Sequence, residues 1–97
     1  MALSIVWSQT ALDDVDAIAA YIHKDSPFYA KAVVEKLFAS TQLIAQFPQL
    51  GRAVPELNQP DIRERLVYSY RLIYVVKVNQ IEVLTVVHGR RLLEIAE

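Results

Sequence analysis

Residues 62–87 read IRERLVYSYRLIYVVKVNQIEVLTVV, a stretch dominated by β-branched and aromatic residues. Ile62–Tyr68, Tyr70–Val78 and Ile81–Val87 are three candidate strands, divided only by Ser69 and by Asn79-Gln80. A chain that turns back within one or two residues can only place the next strand antiparallel to the last, so the three form a meander. At the other end of the chain, Leu3–Trp7 is a short apolar run closed by Ser8, Gln9 and Thr10. It is expected to join the sheet as a fourth strand.

The periodicity changes between these pieces. Ala11, Leu12, Val15, Ile18, Ala19 and Ile22 recur at helical spacing behind a Ser8 or Thr10 cap, with Asp13, Asp14 and Asp16 near the positive end of the helix dipole. Asp25-Ser26-Pro27 makes a corner, because proline cannot continue a helix and disfavours helical dihedrals in the residue before it. A second helix then runs from about Phe28 to Gln46, with Ala30, Val33, Val34, Leu37, Thr41 and Ile44 on one apolar face. From Pro48 to Asp61 the chain carries Gly51 and three prolines, Pro48, Pro55 and Pro60, and is expected to be a loop of about 14 residues.

The resulting class is α+β: an N-terminal strand, an α-helical hairpin over Thr10 to Phe47, then a three-stranded antiparallel meander, in a single domain spanning residues 1–97. Leu37, Ile44, Leu72, Tyr74, Leu84 and Val86 are expected inside. The strand-end Trp7 and the helical Tyr21 are read as core residues rather than base-stacking ones. The tail, His88 to Glu97, is expected to be a short exposed extension or helix.

Composition narrows the function classes. The chain has 97 residues, 54% apolar and 22% charged, which excludes a disordered polyelectrolyte. Ten Lys plus Arg against eleven Asp plus Glu give a net charge of -1, so any contact with nucleic acid must come from a local cluster. No apolar run approaches the roughly 20 residues a membrane helix needs, and Met1 to Trp7 lacks the basic start of a signal peptide. With no cysteine there are no disulfides, thiolate metal sites or thiol nucleophiles. A cytoplasmic protein without a membrane partner, metal or other cofactor is expected.

The cations do cluster. Residues 52–97 hold seven cations and six anions, while residues 1–51 hold three cations and five anions. Arg63 and Arg65 stand two apart on one strand and share a face, Arg71 begins the next strand, and Arg90 and Arg91 follow the last. A meander could gather all five around a phosphate. His88 is the one group there with an unperturbed pKa near neutrality, and is the candidate base. The plainer reading pairs these arginines with Glu64, Glu82 and Glu94 and gives His88 a structural hydrogen bond.

Five segments, in this order along nearly the whole chain, carry a resemblance. They are Val6-Trp7-Ser8 leading into Ala11, Asp14, Ile18 and Tyr21-Ile22; Phe47-Pro48-Gln49-Leu50-Gly51-Arg52; Val54-Pro55-Glu56-Leu57; Tyr70-Arg71-Leu72-Ile73-Tyr74; and Val86-Val87-His88-Gly89-Arg90-Arg91. Together they resemble toxins of the RelE/ParE superfamily from bacterial type II toxin-antitoxin pairs. The resemblance implies a helical hairpin covering one face of an antiparallel sheet. It also implies a cognate antitoxin, encoded by an adjacent gene, whose disordered segment folds over the toxin and buries apolar surface along the hairpin and an open sheet edge.

Growth arrest then follows either from cutting mRNA on the ribosome or from poisoning DNA gyrase. Cleavage is the first expectation, with Arg71, His88 and Arg91 catalytic and Arg63, Arg65 and Arg90 binding substrate. Two features depart from the nucleases. Arg63 and Arg65 stand nearest to a lysine pair those enzymes often carry, and no tyrosine follows Tyr74. Arginine binds phosphate but does not transfer protons, its pKa lying above about 12. The Gly51-Arg52 and Val54-Pro55-Glu56 loop looks more like the gyrase-poison branch, which is the alternative. A non-toxic binding module is the third.

Overall fold

The computed structural model describes residues 2–90. Strand β1 (Ser4–Trp7) leads into helices α1 (Gln9–His23) and α2 (Pro27–Gln46), then β2 (Arg52–Ala53), β3 (Ile62–Val67), β4 (Tyr70–Val76) and β5 (Gln80–His88). Both helices start on the caps that sequence chemistry favours. The Ser8 side chain accepts from the Ala11 amide and the Ser26 side chain from the Tyr29 amide, and Pro27 at the first position of α2 has its ring-fixed φ already suited to a helix.

The strands form one sheet in the order β1-β5-β4-β3-β2. β3, β4 and β5 make the antiparallel meander, and β1 joins the far side of β5 in parallel, Ile5 opposite Ile81 and Trp7 opposite Val83. The sheet has five strands rather than four. The extra one, β2, lies inside the proline-rich loop and pairs Arg52 with Glu64 and Ala53 with Arg63.

The hairpin packs against one face of this sheet. Val15, Val33, Leu37 and Ile44 from the helices meet Leu72, Tyr74, Ile81, Val83 and Val86 in a single buried cluster. Leu84 departs from the expectation: it is only half-buried. Tyr74 pairs with Val83 but Ile73 with Thr85, so Leu84 is an extra residue in β5, a bulge that shifts the inward alternation from odd to even numbers. The polar groups freed there are met by α1 and its cap. The Ser8 hydroxyl donates to the Leu84 carbonyl, and the Asp14 carboxylate accepts from the Thr85 hydroxyl and the Val86 amide. Tyr21 also departs, being 70% exposed; Trp7 packs against the core and against the Phe38 ring.

Candidate functional site

Alternation along the meander separates the arginines. Arg63 and Arg65 do share a face, but their partners across the ladder are Tyr74 and Leu72, which point at the helices. Leu66 pairs with Arg71 and Glu64 with Ile73, so Arg71 stands on the opposite face with Glu64 as its diagonal neighbour. Arg63 and Arg65 therefore do not meet Arg71 around one phosphate position.

Arg71 is instead the centre of an ion-pair network. Its Nε donates to Glu64 Oε1 at 3.0 Å, while Nη1 and Nη2 donate to the two oxygens of Glu56 at 2.8 and 2.7 Å, a bidentate fork. Glu64 turns its other oxygen to Arg52, whose Nε donates at 2.8 Å. Glu64 and Arg71 are 2% and 5% exposed. Hydrogen bonding to Glu56 outweighs the desolvation of the guanidinium and, with Glu64, holds its pKa above even the usual arginine value. A cleft of about 410 Å³ opens beside them, lined by Arg52, Pro55 and Leu66 as well as the paired charges.

The loop that carries Arg52 is tied down from below. The buried Tyr74 hydroxyl donates to the Pro48 carbonyl at 2.8 Å and accepts from the Gly51 amide at 2.9 Å, and Arg63 Nη1 donates to the Gly51 carbonyl at 2.7 Å. Glycine is required here by space: a Cβ at residue 51 would lie 2.4 Å from the Glu64 carbonyl oxygen and 2.8 Å from the Tyr74 hydroxyl. Burial pushes the Tyr74 hydroxyl pKa up, while the Gly51 amide and the charges of Arg63 and Arg65 pull it down.

His88 ends β5, exposed, with its ring edge-on to Tyr70 at 5.8 Å. Its Nδ1 accepts from the Arg90 amide at 3.2 Å, which places the proton of the neutral ring on Nε2 and leaves a donor, not a base, facing out. His88 and Arg90 line a cleft of about 400 Å³ with Leu66, Tyr68, Ser69 and Gly89. Arg91, the tail beyond it and Glu94 lie outside the described residues. No group of three or more His, Asp or Glu side chains converges as a metal site among the described residues.

Arg52 and Glu56 were missed as members of this network, and Tyr74 as its anchor. The first is legible in principle, since a cation that opens β2 can be registered on Glu64. Nothing in the sequence brings Glu56, fifteen residues upstream in an irregular loop, onto Arg71.

Comparison with known proteins gives the relatives of this arrangement. Residues 5–93 match the family described as ParE toxin of type II toxin-antitoxin system, parDE. The chain is 33% identical over 92 residues to a protein named as a toxin, Y4kP of Sinorhizobium fredii, covering 90% of this chain and 88% of that one. It is 30% identical over 89 residues to Toxin RelE2 of Caulobacter vibrioides, covering 91% and 97%. Among solved structures it is similar in fold to a chain of the chromosomal ParDE toxin-antitoxin system from P. aeruginosa, with a TM-score of 0.72 at 22% identity, covering 89% of this chain and 95% of that one.

Proposed function

Because the chain belongs to the ParE toxin family of type II toxin-antitoxin systems, within the RelE/ParE superfamily, we propose that it arrests growth by binding and poisoning DNA gyrase rather than by cutting RNA. The observation that carries this reading is the engagement of Arg71. A nuclease needs that guanidinium turned toward a phosphate, and here two of its edges are held by Glu64 and Glu56. His88 offers no free basic nitrogen in this arrangement, and Arg63 and Arg65 stand on the other face. What remains is a rigid surface suited to recognition.

A cognate antitoxin restrains the toxin in the cytoplasm, where the target also lies. Exposed Phe38 and Leu43 on α2, Phe47 just after it and Val6 on the edge strand β1 supply the apolar surface such a partner would cover. No helix among the described residues is long and apolar enough to cross a membrane.

Cleavage of mRNA is the second reading, favoured by one observation: His88 and Arg90 line the same open cleft. It requires Arg71 to exchange Glu56 for a substrate phosphate, with Arg91 completing the site. Purified toxin decides between the two. Inhibited supercoiling with intact ribosome-bound message is the expected result; cut message with unaffected gyrase overturns the proposal.

A further inference from the structure

Tyr68 sits at the β3–β4 turn with φ of 54°, a left-handed backbone that glycine or asparagine adopts readily and a bulky aromatic residue rarely does. The side chain so displayed is 54% exposed and meets the Tyr29 ring edge-on at 5.8 Å. Opposite it, across a cleft of about 420 Å³ between the turn and α2, stands Phe28, 84% exposed. Two lysines, Lys31 and Lys36, line the cleft against one carboxylate, Glu35. Tyr68 also lines the adjoining cleft of His88 and Arg90.

Water-exposed rings interleaved with cations on a chain of net charge -1 are a local exception to its charge balance. A protein partner would be served by the rings alone. Rings alternating with lysine and arginine match a ligand that alternates flat apolar faces with anions, which is an unpaired nucleotide strand. We infer that Phe28, Tyr29 and Tyr68, with Lys31, Lys36 and Arg90, form a binding surface for single-stranded DNA. The inference deepens the proposed function by giving the toxin a contact with DNA opened within its target, yet it rests on the chemistry of this surface alone.

Fluorescence anisotropy of purified toxin with a labelled thymidine oligonucleotide of about 12 nucleotides tests it. Binding is expected at about 50 mM salt and should weaken steeply by about 200 mM. Tyr68→Gly should weaken it about 5-fold or more while unfolding at no lower temperature than the parent, since glycine relieves the turn; Tyr68→Phe should stay within about twofold. Phe28→Ala provides a second loss, at a largely exposed side chain, and Lys36→Glu should flatten the salt dependence. Absent binding at low salt overturns the inference, as does binding indifferent to both Tyr68→Gly and Phe28→Ala, or tighter binding of the matching RNA. Because no gyrase is present, supercoiling inhibition without oligonucleotide binding sinks this inference and leaves the gyrase reading standing, and the converse result does the opposite.

Discussion

Arg71 and Glu64 are held to one another across adjacent strands, both buried, with Nε and Nη2 of the guanidinium donating to the same carboxylate oxygen. A buried ion pair is costly to break from one side, because the surviving charge is left without its partner. Arg71 keeps Glu56, so Glu64→Ala should lose less in urea denaturation than the about 3–5 kcal/mol of a fully orphaned buried charge. The double variant Glu64→Leu/Arg71→Met should lose less than Glu64→Ala does. A single variant that costs under about 1 kcal/mol would show that the pair contributes little.

Tyr74 should make the protein alkali-sensitive. Burial favours the un-ionised phenol, so the folded form holds its proton to higher pH than the unfolded chain does. The stabilisation is complete below pH about 10 and is lost as pH rises through the raised value. Tyr74→Phe should cost about 1–3 kcal/mol at neutral pH, since the Gly51 amide and Pro48 carbonyl lose their partner, but its stability should fall less between pH 9 and 11. Tyr70, also raised by burial, leaves a residual fall in stability in the variant. Parallel alkaline melting curves for parent and variant would refute the assignment.

Gly51→Ala is expected to destabilise by about 1–3 kcal/mol, because the new Cβ collides with backbone rather than with a movable side chain. The displacement should reach Arg52, loosening its bond to Glu64. Unchanged thermal unfolding would mean that the loop shifts freely.

On the gyrase reading, His88→Ala should leave growth arrest within about twofold of the parent, because removing a base matters only where a proton is transferred. Colony counts after brief induction, with protein levels matched, provide the measurement. A loss of about 100-fold or more would favour the nuclease.

Elements whose residues repeat with a fixed period are legible in the sequence. The meander and the hairpin, with Ser8 as one of two candidate caps, follow from alternation, helical spacing and side-chain oxygens at a helix start, whereas Ser26 reads only as part of a corner. Leu84 was misplaced because a bulge changes the phase of a strand without leaving a residue-type signal. Tyr21 fits an apolar helical stripe by number, yet α1 has a neighbour on only part of its circumference. The shared face of Arg63 and Arg65 was legible from their spacing. That Arg71 points the other way depends on the register of β3 against β4, and that Glu56 reaches it depends on the path of an irregular loop; neither is written in local sequence.

The parallel pairing of β1 with β5 carries a consequence for when the molecule comes into being. The first strand and the cap of the first helix find their partners 76 residues later, at Leu84 and its neighbours. Contacts of such long sequence separation form late, because nearly the whole chain must be closed into a loop before they can be made. During synthesis at about 5–20 residues per second, the opening strand waits without its neighbour until β5 has emerged. A partially made chain thus has no completed sheet, and any activity that depends on the finished fold can begin only after β5 has left the ribosome.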